Sequence, residues 1–237
     1  MGNAVRVVQL PKRQGIRKRR KGKAVASSSP IRVVETLREE ILNGTLVPGA
    51  RLRQEDIAER FGASRQPVRD ALRQLEGDGL ITMVHNAGAW VSKLSESECY
   101  EAYQVRERLE PLLLSQSIPN LTDAQVKRLS ELVEEIEKAT DLEQFLRLDR
   151  EFHLLSYAGA APGMLREFVE RIWNTTQHYR RAFAKLSDFA SSEVTHMEHK
   201  LILDGIIRKD SRQAENALEG HIRRTRVTLA QHKELFN

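Results

Sequence analysis

Apolar residues recur three and four apart from Ile31 onward, and the polar breaks between them divide the chain into helices. Ile31, Val34, Leu37, Ile41 and Leu42 share one helical stripe, which Asn43-Gly44 ends. Pro48-Gly49 marks a turn, and a second stripe of Ile57, Ala58 and Phe61 stops at Gly62, where a left-handed C-cap fits. A third helix starts at Ser64, whose hydroxyl can cap it, and Pro67 falls in a first turn whose N–H groups lack intrahelical partners. Val68, Ala71, Leu72 and Leu75 form its apolar back, leaving Arg65, Gln66, Arg69 and Arg73 in front. The pattern then turns strand-like over 80–85 and 89–93, around Asn86-Ala87-Gly88 as a tight loop. Three helices and a hairpin outline a winged helix-turn-helix.

From Ser95 the helical period returns without convincing strands. Six helices are expected over about 95–117, 122–139, 141–158, 162–186, 191–208 and 211–234, with Thr122-Asp123 and Asp141 as start signals and Pro162 just inside a start. Gly205 interrupts the fifth. The fold class is therefore mainly α: a winged helix-turn-helix over 31–94 and an all-helical bundle over 95–237.

Charge changes the picture at one end. Of the 38 Lys and Arg residues, nine lie within residues 1–30 and none of the 33 acids does, so residues 31–237 hold 29 basic against 33 acidic side chains, net −4. The basicity belongs to an arm, closed by Ser27-Ser28-Ser29-Pro30, whose composition suits disorder and either non-specific phosphate binding or a solvated leader. No apolar run reaches the roughly 20 residues of a membrane span. The single cysteine, Cys99, fits a reducing compartment, so a cytoplasmic protein is expected.

The bundle carries the candidate chemistry. Asp149 and His153 stand one helical turn apart on one face. His199 shares its face with Ile202, Leu203 and Ile206, and His221 with Ala214, Ala217 and Leu218, so both point inward. One inward histidine is ordinarily a satisfied core residue. Three of them with a carboxylate must be paired or metal-bound, and that donor set suits zinc or nickel, with positions left for water or a ligand. His178 and His196 are weaker candidates, His196 fitting a solvent position better than a place behind the ligands.

Two resemblances follow. The run Gly44-x-x-x-Pro48-Gly49, Leu52, Ile57-Ala58, Phe61-Gly62-x-Ser64-Arg65-x-Pro67-Val68-Arg69-x-Ala71-Leu72-x-x-Leu75-x-x-x-Gly79-Leu80, with Gly88 in the wing, resembles the DNA-binding domain of GntR-family bacterial repressors. The resemblance implies Arg65, Gln66 and Arg69 as base-reading residues, Ser64 as a phosphate contact and cap, and His85 with Asn86 as the wing tip. Arginine suits this role because it can bond guanine O6 and N7 together, worth about 1–3 kcal/mol of discrimination. One helix reads only a few base pairs, so a homodimer on a pseudo-palindromic site is expected. Val105-Arg106-x-x-x-Glu110-Pro111, Asp149-x-x-Phe152-His153, Glu198-His199-x-x-Ile202 and Gly220-His221 resemble the FCD effector domain of the FadR subfamily, VanR-like by its six helices. In metal-binding members the matching Asp and three His hold the ion, and a small carboxylate can complete its coordination. Ala161-Pro162 replaces the usual Asn-Pro, and the arm has no family counterpart.

Arg106 is either the anchor for an acidic effector or half of a helix-surface ion pair with Glu110. The expected function is that of a metal-binding, effector-controlled transcriptional repressor. A metal-dependent hydrolase and a non-specific DNA-coating protein are the alternatives.

Overall fold

The computed structural model describes residues 30–85, 87–189 and 192–236. The basic arm up to residue 29 and the wing-tip candidate Asn86 lie outside them. Contacts divide the described residues into two compact units, one ending at Lys93 and one beginning at Leu94.

In the first unit, α1 (Pro30–Leu42), α2 (Gln54–Phe61) and α3 (Arg65–Gly77) are joined by a small antiparallel sheet of β1 (Arg51–Leu52), β2 (Ile81–Val84) and β3 (Gly88–Val91), in the order β1-β3-β2. Pro30, expected in the arm, instead opens α1, where its missing N–H costs nothing. Val33, Val34, Leu37, Ile57, Val68, Ala71, Leu72 and Leu75 are buried in one core, each large aliphatic side chain contributing roughly 1.5–3 kcal/mol by leaving water. Gly62 takes the left-handed conformation, φ 62° and ψ 33°, and the Ala63 N–H closes α2 onto the Ala58 carbonyl. Pairing Leu52 with Ala89 and Val84 with Gly88 sets the sheet register. Strand β1 has no counterpart in the hydrophobic pattern because two residues carry no readable alternation.

Ser64 requires a correction. It sits at the N-cap of α3 with extended backbone, φ −77° and ψ 168°, yet its side chain makes no capping hydrogen bond. Position N3 is Pro67, which has no N–H to donate, so the usual partner of a capping hydroxyl is missing.

Among the described residues the second unit is a bundle of six α-helices: α4 (Glu96–Ser117), α5 (Asp123–Glu137), α6 (Leu142–Ser156), α7 (Met164–Leu186), α8 (Glu193–Ile207) and α9 (Ser211–Leu229). Ser95 with Glu98 and Thr122 with Gln125 form capping boxes, and Asp141 accepts the Gln144 N–H. Pro162 precedes α7 rather than opening it, since Gly163 is the N-cap. Helix α9 stops earlier than 234 because the chain turns back and stacks Phe236 on Tyr179, centroids 5.3 Å apart. Gly205 is a packing device: a Cβ there would sit 2.8 Å from the Ala214 backbone nitrogen, so its absence lets α8 and α9 approach closely. Among the described residues no helix is long and apolar enough to cross a membrane.

Candidate metal centre and DNA-reading face

Helix α6 supplies Asp149 and His153, α8 supplies His199 and α9 supplies His221. All four side chains are buried, and one donor atom from each lies within 4.8 Å of the others. The three imidazole centroids are 5.0 to 5.4 Å apart. Burial pushes His199 and His221 down to about 4 and His153 well below its ordinary value, so the rings are neutral, the form that donates a lone pair to a metal.

The proton positions follow from the partners. His199 Nδ1 lies 2.9 Å from the Thr195 carbonyl oxygen, which can only accept, so Nδ1 carries the proton. Its Nε2 therefore presents a lone pair to Asp149 Oδ1, 3.1 Å away, which is also an acceptor. His221 Nδ1 lies 2.7 Å from Glu198 Oε2, which likewise leaves Nε2 bare. Both ring nitrogens of His153 are buried without a hydrogen-bond partner. Converging lone pairs and orphaned nitrogens cost free energy in a dry interior unless a cation sits among them, so the donor set fits a divalent ion.

Beside the four lies a cationic wall that sequence spacing does not reveal. Arg180 of α7 contacts the Asp149 carboxylate and covers the Trp173 ring at 3.9 Å, while its Nη1 is buried without a hydrogen bond. Burial and the neighbouring Arg106 lower its affinity for a proton, to about 9. Arg106 packs over the same ring at 4.6 Å, and His153 meets that ring at 5.2 Å between centroids. The Arg106–Glu110 pair exists, with Nε 2.5 Å from Oε1, but it is buried rather than on the helix surface. Thr176 accepts a further Arg106 N–H, and Glu110 accepts from Tyr157 Oη and Trp173 Nε1. A turn-spaced arginine on α7 shows in the sequence only as one charge among many, so Arg180 carried no signal. His196 is half-buried and stands outside the cluster, its Nε2 without a hydrogen bond.

In the first unit, Arg65, Gln66 and Arg69 project from the exposed face of α3, with Ser64 exposed at its start and His85 exposed in the wing turn. Arg69 donates to Gln66 Oε1 at 2.9 Å and Gln66 donates to Asp70 Oδ1 at 3.0 Å, a chain that orients the first two side chains. Arg51 braces the wing by donating to the Ala87 carbonyl at 2.9 Å. Arg51, Arg53, Arg73 and His85 line one cleft beside α3.

Residues 31–91 match the gntR family of bacterial regulatory proteins, and residues 101–224 match the FCD domain. The chain belongs to the GntR family. This GntR regulator is 29% identical over 189 residues to the HTH-type transcriptional regulator YdhC of Bacillus subtilis, covering 78% of this chain and 84% of YdhC. It is 23% identical over 205 residues to the HTH-type transcriptional repressor RspR of Escherichia coli, covering 85% and 89%. The solved structure of E. coli McbR/YncC shares its fold, with TM-score 0.74 at 24% identity over 86% of this chain and 98% of that one. Its relatives are transcriptional regulators, which sets the hydrolase alternative aside: the GntR regulator is not an enzyme.

Proposed function

We propose that this GntR regulator is a homodimeric repressor whose hold on a pseudo-palindromic operator is controlled by a small carboxylate bound beside a divalent metal. The observation that carries this reading is the facing of two acceptors, Asp149 Oδ1 and His199 Nε2, inside a buried cluster with His153 and His221. A zinc or nickel ion held by these four residues supplies a Lewis-acidic point with positions open to water or a carboxylate oxygen. Arg180 offers its unpartnered Nη1 to the second carboxylate oxygen, and Arg106 adds a positive field from behind Trp173.

On DNA, Arg65, Gln66 and Arg69 read base edges, Ser64 contacts a phosphate, and His85 with Asn86 enters the minor groove. The hydroxyl of Ser64 suits this because it is not engaged in capping α3. The basic arm adds phosphate contacts without sequence preference. Effector binding favours a dimer arrangement that no longer matches the half-site spacing, through a coupling of about 1–3 kcal/mol. Repression is favoured because RspR, similar over most of this chain, is a repressor. The regulator acts in the cytoplasm.

The test is a thermal-shift screen of the zinc-loaded protein against small carboxylates, followed by operator binding with each hit. A carboxylate that raises the melting temperature and releases DNA is expected. Hits that bind equally after Arg180→Ala, or equal affinity for operator and random DNA, would contradict the reading, the second outcome favouring a DNA-coating protein.

A further inference from the structure

The nitrogens of His199 and His221 that face away from the cluster are held by one continuous network. His221 Nδ1 lies 2.7 Å from Glu198 Oε2. Arg224, one turn beyond His221 on α9, donates Nε to Glu198 Oε1 at 2.8 Å and Nη2 to Oε2 at 2.5 Å. The same Nη2 reaches Thr195 Oγ1 at 2.9 Å. Thr195 is also the residue whose carbonyl accepts from His199 Nδ1, at 2.9 Å, and its hydroxyl is 2.7 Å from that of Ser192, the N-cap of α8. Glu198 is not a fifth ligand, because its carboxylate lies on the Nδ1 side of His221, opposite the nitrogen that enters the cluster.

We propose that Glu198, fixed by Arg224, is the positioning residue of the metal centre: it sets the tautomer and ring plane of His221 so that Nε2 presents its lone pair to the ion. This rests on the metal reading above and adds residues to it. A carboxylate can only accept, so it forces the His221 proton onto Nδ1. An amide at 198 cannot do both of the jobs that Glu198 does. With its oxygen toward His221 it turns an NH2 toward Arg224, and with its NH2 toward His221 it drives the proton to Nε2 and removes the ligand.

The test uses the full chain and zinc alone, with a chromogenic chelator as competitor, together with nitrogen-15 spectra of the histidine rings in the metal-free protein. Glu198→Gln is expected to weaken zinc binding by about 10- to 100-fold and to remove the single Nδ1-protonated signal of His221. Arg224→Gln, which keeps the accepting carboxylate, is expected to keep that tautomer and lose less affinity. Unchanged affinity with an unchanged tautomer in Glu198→Gln overturns the proposal, as does a lowered melting temperature with wild-type zinc affinity, the mark of a merely structural role. If Glu198→Gln fails to fold, the wild-type spectrum decides: Nε2 protonation of His221 overturns it. Failure of the wild type to bind zinc would instead contradict the metal reading, leaving the tautomer measurement to judge the role of Glu198.

Discussion

Asp149 Oδ1 and His199 Nε2 lie 3.1 Å apart in the bundle interior, and neither has a proton to give the other. Asp149→Asn changes this contact with little change of shape. Its amide can donate to His199 Nε2, but the buried Arg180 loses its charged partner. Breaking a buried pair costs about 3–5 kcal/mol against about 1 kcal/mol for the new hydrogen bond, so the metal-free variant should melt below the wild type in the presence of a chelator. Zinc, which stabilises the wild type by binding its native state, should raise the melting temperature of the variant much less. Thermal unfolding with and without zinc reads both effects.

Acid should destabilise the metal-free protein over a defined window. His199 and His221 have native values near 4, against about 6.5 for an exposed histidine. Between those values the unfolded chain binds protons that the native state refuses, so stability is full above about 6.5, falls as pH drops toward 4 and levels off, for these two groups, below that. Urea unfolding of the apo protein across pH 4 to 7 gives the slope. A flat profile would mean that the histidines are not buried neutral.

The two arginines on Trp173 should separate stability from effector response. Arg106→Ala leaves Glu110 buried without its cation and should cost about 3–5 kcal/mol of stability. In the zinc-loaded protein, where an ion would balance the Asp149 charge that Arg180 otherwise pairs, Arg180→Ala removes a guanidinium whose Nη1 has no hydrogen bond and should weaken carboxylate binding at least tenfold. Denaturant melts and calorimetric titration with a carboxylate, on both variants, would check the division.

Arg65→Ala and Arg69→Ala should each relax base preference at one half-site position by about 1–3 kcal/mol. Because Gln66 accepts from Arg69, Gln66→Ala should disturb the position that Arg69 reads, and the two changes should combine non-additively. Binding selections over randomised operators measure this. Truncation of the arm should instead weaken all sequences alike and reduce the salt dependence of binding.

Long periodic segments made most of the architecture legible. The six bundle helices and the three of the DNA-binding unit follow the expected stripes, although Ile31, placed on the first stripe, is exposed and Val33 is buried in its stead. Short or paired features were not legible. Strand β1 is two residues long, and Ser64 looks like a cap until Pro67 is counted at N3. Gly205 read as an interruption, whereas it marks where α9 comes within a methyl of α8. The four-residue cluster could be proposed because every member lies on an inward face. Arg180, Glu198 and Arg224 could not, because a charge that turns inward to meet another helix has the same local pattern as one in solvent. Arg106 shows the same limit, since its spacing to Glu110 fits an exposed pair as well as the buried one.

The most direct measurement is the metal content of the purified full chain after equilibration with zinc and removal of unbound ion, compared with His153→Ala. His153 has no hydrogen-bonding partner for either ring nitrogen, so its removal takes away a donor atom that no other contact uses. One zinc per wild-type chain, with most of it lost in the variant, is the expected result. A wild type that retains no zinc or nickel, or a variant that retains as much as the wild type, would contradict the assignment of Asp149, His153, His199 and His221 as the metal centre.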